Sequence, residues 1–131
     1  MVGGETVKVA VGVGCRKGCP AGAIEALVRQ ALNRVADPAP LGLFTIADKE
    51  GEPGLAEAAG KLGLATVYLA RDALKAREAD TQTRSEHAEN LFGVTSVAEA
   101  AALAGAGPAS VLIVPRIAEG GATCAVARAA P

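Results

Sequence analysis

The run Gly12-Val13-Gly14-Cys15-Arg16-Lys17-Gly18 gathers two cations, a thiol and three glycines into one short turn. An apolar stretch leads into it, and Pro20 opens the helical pattern that follows. A strand–turn–helix junction of this kind can hold an anion. Backbone N–H groups at a helix start point outward, the helix dipole favours negative charge, and Arg16 and Lys17 add two positive charges. The run misses both phosphate-binding fingerprints. A dinucleotide fold needs G-x-G-x-x-G, but Lys17 stands at the third glycine position and Gly18 comes one residue late. A P-loop needs Lys and then Ser or Thr after its last glycine, where this chain has Cys19 and Pro20. A plain turn without a ligand is the alternative. Two cations at the opening end of a sheet favour the anion-binding loop.

Cys15 and Cys19 are spaced one helical turn apart, but a zinc site would need two further ligands. Only Cys124 and the lone His87 are on offer, so no metal site and no cofactor are expected. A thiolate at Cys15 is conceivable beside a helix start and two cations, with a buried inert thiol as the equal alternative. His87 sits in a polar stretch and reads as a solvated surface residue. Glu99 could act as an acid or base, yet a capping role explains it without chemistry. Lys49 and Arg116 each follow a strand end. If those strands run parallel to the first, both cations share a rim with Arg16.

The elements that must position these residues follow from the hydrophobic pattern. A first strand covers residues 7–14, apolar on both faces as in a strand buried between layers. A helix over 20–35 places Ile24, Leu27, Val28, Ala31, Leu32 and Val35 on one face. A strand at 41–47, a polar loop at 48–54, a helix at 54–62 and a strand at 65–69 come next. A short helix at 72–78 leads into a polar segment at 79–90. There Thr83 with Glu86, or Ser85 alone, could cap a short helix ending at Phe92. Ser96 and Glu99 fit a capping box, with Ser96 covering the helix amides and Glu99 reaching back to the cap residue. That Ala-rich helix ends near 105–107. A strand at 110–114, a hairpin turn at 116–121 and a returning strand at 122–128 close the chain. The alternation predicts one three-layer α/β/α domain over 1–131, with a mixed five-stranded sheet whose last strand is antiparallel.

Composition narrows the function classes. Half of the 131 residues are hydrophobic, yet the chain has two Phe, one Tyr and no Trp, so Ala, Val and Leu must fill the core. Net charge is −1 at pH 7, so no overall field draws nucleic acid or a membrane surface. The stacking aromatics of single-strand binders are nearly absent. Three cysteines, an odd number, imply a reducing cytoplasmic setting rather than a disulfide framework. The first residues lack a signal-peptide pattern, and no apolar run approaches a membrane span of ~20 residues.

Three segments resemble one family in order along the chain. Gly12 to Gly18 resembles the G-[IV]-G-C-R-[RK]-G signature of the CobE / CbiG C-terminal family of cobalamin biosynthesis. Gly93 to Leu103, GVTSVAEAAAL, is similar to that family's G-V-x-S-V-A-E-A-A-A-L. The ending LIVPRIAEGGATCAVAR resembles its strand, Pro, Lys/Arg, turn and T-x-A-x-A close. The resemblance implies a stand-alone CobE-type protein. CbiG proteins carry further N-terminal regions, and the whole enzyme opens the lactone of cobalt-precorrin-5A with release of acetaldehyde. Cys19 stands where the family pattern implies a small or apolar residue.

With that resemblance, the expected ligand is a precorrin or corrin intermediate, a flat macrocycle rich in carboxylates. Gly12, Gly14, Cys15, Arg16, Lys17 and Gly18 form the expected loop contact, with Lys49 and Arg116 as added cations. Val13, Val97 and nearby alanines supply an apolar wall, and Ser96 and Glu99 complete the candidate set. Three readings stay open: a carrier or accessory binder working beside other cobalamin-pathway enzymes, a lactone hydrolase in which Arg16 stabilises developing charge, and an unrelated thiol or nucleotide module.

Overall fold

Small side chains decide how closely the layers of this protein approach. In the computed structural model, which describes residues 6–131, strands β1 (Val7–Cys15), β2 (Pro38–Ile46), β3 (Thr66–Leu69), β4 (Val111–Glu119) and β5 (Ala122–Arg128) form one mixed sheet in the order β3-β2-β1-β5-β4. The chain start, on which the reading of no signal peptide rests, lies outside the described residues. β1, β2 and β3 are mutually parallel, and β5 is antiparallel to both β1 and β4. β4 therefore runs in the same direction as β1, with β5 inserted between them.

Helices α1 (Ala21–Leu32) and α2 (Pro53–Leu62) cover one face. Their Ile24, Leu27, Val28 and Leu55 pack on Val9, Val11 and Val13 of β1 and on Cys124 and Val126 of β5. The other face carries α3 (Arg71–Lys75), α4 (Glu86–Phe92) and α5 (Val97–Ala106). There α5 meets the alternate residues of the same strands, Ala10 and Gly12 on β1 and Ala125 and Ala127 on β5. A Cβ at Gly12 would overlap the Ala98 carbonyl oxygen, and one at Gly105 would overlap the Phe44 ring. The shortage of aromatics thus has a structural reason: α5 lies almost directly on the sheet.

Several boundaries differ from those expected. α1 begins at Ala21 with Pro20 as its N-cap, and it stops at Leu32. β2 starts at Pro38, three residues earlier than read, because Pro38 and Pro40 pair with Val7 and Val9. The pairing of β2 with β3 begins only at Leu43, so the prolines sit where β2 lacks its second neighbour and break no ladder. α3 ends at Lys75, and a single 3-10 turn follows at Glu78–Asp80. β4 extends to Glu119, so residues 116–119 are strand and the hairpin turn narrows to Gly120 and Gly121, both at positive φ.

Arg77 anchors the far end of α5. Its guanidinium donates to the Leu103, Gly107 and Ser110 carbonyls and to the Ser110 hydroxyl at 2.8–3.0 Å. These include carbonyls at the end of α5, where a cation also suits the helix dipole.

Candidate functional site

Chain direction changes sides at the centre of this sheet. β1 is followed by α1 on one face, whereas β3 is followed by α3, α4 and α5 on the other. In open α/β sheets a crevice forms at such a switch, beyond the carboxyl ends of the strands. A cleft of about 500 Å³ lies there, within the range usual for ligand sites. Gly14, Cys15 and Arg16 come from the end of β1, and Lys49 from the turn after β2. Arg116, Ala118 and Glu119 come from β4, and Gly121, Ala122 and Thr123 from the hairpin and β5. Ser85, His87, Ala88 and Phe92 of the α4 region close the opposite side with Ser96 and Val97 at the start of α5.

Of the residues proposed from sequence, Gly14, Cys15, Arg16, Lys49, Ser96, Val97 and Arg116 meet at this cleft. Gly12, Val13, Lys17, Gly18 and Glu99 are not in its lining, and Val13 packs in the core with α1 instead. Gly12 is a packing residue under α5. Lys17 is exposed to solvent. Gly18 turns at φ +77° and donates its N–H to Glu52 Oε1 at 2.8 Å.

The turn after β1 contributes side-chain charge more than backbone donors. The Arg16 N–H donates to the Gly121 carbonyl and the Cys19 N–H to the Arg16 carbonyl. With Gly18 bonded to Glu52, three of the amides expected to face an anion are already occupied. The helices whose N-terminal residues line the cleft are α4 and α5, not α1. Ser96 caps α5, accepting the Glu99 N–H at 3.3 Å, and is itself almost fully buried.

The second half of the expected capping box is absent. The fully buried Glu99 carboxylate does not return to the Ser96 amide. Its Oε1 accepts the N–H groups of Gln82 and Thr83 at 2.7 and 2.9 Å, and its Oε2 accepts the Arg116 N–H at 2.9 Å. The Arg116 amide is available because β4 bulges there. Val114 pairs with Val126 but Ile117 pairs with Cys124, so β4 holds one residue more than β5 across that step.

Arg16 is exposed, while Lys49 and Arg116 are half-buried. Among the described residues, no carboxylate lies within ion-pair distance of any of the three. Lys49 Nζ sits 5.8 Å from the centre of the Phe92 ring, and Arg71 lies 5.5 Å from the same ring. A cation over an aromatic face gains on the order of 0.5–1 kcal/mol at an exposed site. Arg71 is also held by Asp48 through two hydrogen bonds, which keep the Asp48 carboxyl below its usual range.

The Cys15 thiol behaves opposite to the thiolate considered for it. Burial pushes its pKa up to about 11, and the nearby Lys49 charge only partly offsets this. Cys19 is also raised by burial and by Glu52, and its thiol donates to the Gly120 carbonyl at 3.5 Å. Cys124 is pushed up to about 12 by burial. These are neutral packing thiols. Among the described residues, no cluster of His, Cys, Asp and Glu has the makings of a metal site.

Sequence reasoning missed the α4 wall. His87 was read as a surface residue and does remain exposed, but it borders the cleft. Of the two caps considered for α4, Ser85 alone serves, accepting the Ala88 N–H at 3.2 Å. The Ser85 cap was the one available signal that this polar stretch had a fixed position.

The profile of the family described as "Cobalamin synthesis G C-terminus" matches residues 9–127. Protein CobE of Sinorhizobium sp. is 34% identical over 119 residues, covering 89% of this chain and 77% of that protein. The crystal structure of CobE, a protein from the cobalamin (vitamin B12) biosynthetic pathway, superposes with a TM-score of 0.88 at 32% identity, covering 99% of this chain and 96% of that one. Cobalamin biosynthesis protein chiG from Agrobacterium tumefaciens gives 0.74 at 40% identity, covering 94% and 99% of the two chains. The chain belongs to the CobE/CbiG C-terminal family of cobalamin biosynthesis proteins.

Proposed function

We propose that this protein binds a polycarboxylated precorrin or corrin intermediate in the cleft, as a carrier or accessory factor. One observation carries the reading. Arg16, Lys49 and Arg116 surround an opening whose lining includes Val97, Ala88, Phe92 and Ala122, and none of the three cations is neutralised by a described carboxylate. A flat apolar ring edged with carboxylates matches that pairing of charge and apolar surface. Charge-assisted hydrogen bonds from guanidinium groups to carboxylates are the strong contacts available. Handing such an intermediate between pathway enzymes would be cytoplasmic work, and those enzymes are the expected protein partners.

Among the described residues, the one fully buried carboxylate is Glu99, and both its oxygens are committed to backbone amides. An absorbance titration with cobyrinic acid tests the reading. Saturable one-to-one binding that is lost when the ligand's carboxylates are converted to amides supports it. Equal binding of the amidated ligand, or none of either, contradicts it. Release of acetaldehyde from a precorrin-5A-type lactone would instead support a hydrolase.

A further inference from the structure

Two walls of the cleft are built from segments far apart in sequence. One is the stretch leading through Ser85 into α4. The other is the bulged part of β4 at Arg116. Neither is held in place by the sheet ladder alone, and both converge on one side chain. Glu99 Oε1 takes the amides of Gln82 and Thr83, and Oε2 takes the amide of Arg116.

We infer that Glu99 is the positioning residue of this site, a buried carboxylate that fixes the α4 wall and Arg116 relative to each other and so sets affinity for an anionic ligand. A carboxylate is suited to this because it offers acceptors only, and three converging N–H donors need nothing else. It lies in the first turn of α5, where a negative charge is favoured by the helix dipole. Its lever on the site is short. Thr83 precedes Ser85 by two residues, and the Ser85 N–H is itself tied to the Thr95 carbonyl at 2.7 Å, next to Ser96. On the other wall, the bonded amide belongs to Arg116 itself. Glu99 thus acts without lining the cleft. Glutamine has the same shape but turns one acceptor into a donor. It would keep some of the three amides and set its NH2 group against the remainder.

The inference rests on the cleft being the ligand site, and its test separates the two claims. Residue-resolved amide exchange on the wild-type protein comes first. The amides of Gln82, Thr83 and Arg116 are expected to be protected together, although two of them lie in a loop. Fast exchange at these amides would overturn the inference without any variant being made. Glu99→Gln is then compared with Val28→Ala, a core change on the opposite face, at temperatures giving equal fractions folded. Glu99→Gln should speed exchange at one or more of the three amides. It should also weaken cobyrinic acid binding at least about tenfold relative to Val28→Ala. Affinities within about twofold of each other would remove Glu99 from any positioning role. If the wild type fails to bind cobyrinic acid, the proposed function falls, and the structural claim for Glu99 is decided by exchange alone.

Discussion

Gly12 of β1 lies directly beneath Ala98 of α5, so close that a single added methyl would overlap the Ala98 carbonyl oxygen and crowd the Ala102 amide. The obstruction is helix backbone, which cannot rotate away as a side chain can. α5 would have to lift from the sheet, and its first turn carries both Ser96 and Glu99.

Gly12→Ala is therefore expected to destabilise the protein by about 3 kcal/mol, at the upper end of ordinary overpacking. Urea denaturation measures it. A loss below about 1 kcal/mol would mean that α5 is not seated as tightly as described.

Arg77→Met should cost about 3 kcal/mol, since it strips a charged donor from several carbonyls around the end of α5. The Arg77 side chain is only 16% exposed, so water cannot readily replace it. Ligand affinity should be little changed at temperatures where the variant is folded, because Arg77 is not in the cleft lining. Parallel thermal and binding measurements would expose a loss of affinity that this account does not allow.

Alkaline pH should weaken the fold. Unfolded thiols ionise around their ordinary value of 9.0, whereas folded Cys15 and Cys124 keep their protons until about 11 and about 12. Unfolding then releases protons within that window, so stability falls as pH rises through it. Urea midpoints measured from about pH 8.5 to about pH 10.5 should decline, and the decline should flatten in a folded Cys15→Ala/Cys124→Ala variant. An unchanged slope in that variant would assign the effect to other groups.

The hydrophobic pattern revealed the parts that depend on local spacing. The strand at β1, the α1 stripe of Ile24, Leu27, Val28 and Ala31, and the Ser96 cap are all encoded within a few residues, and the structure has them. Glu99 marks where local reading ends. Three residues after Ser96 it satisfies the capping-box spacing, but the amides it holds are 16 or 17 positions away in sequence. Spacing cannot reveal such partners. The turn at Gly12 to Gly18 shows the same limit. Its glycines and cations suggested open amides, while Gly121 and Glu52 had already taken the Arg16 and Gly18 N–H groups. Arg116 was expected at the start of the hairpin turn, directly after the Pro115 that follows the apolar run. It lies within an edge strand, where proline is tolerated.

The charge on the rim of the cleft is the central claim, and the salt dependence of ligand affinity tests it most directly. Cobyrinic acid should bind the wild-type protein with an affinity that falls as ionic strength rises, because Arg16 and its neighbours act partly through screened solvent. Arg16→Ala should weaken binding by about tenfold and make the salt dependence shallower. Identical affinity and an identical salt slope in wild type and Arg16→Ala would contradict the account.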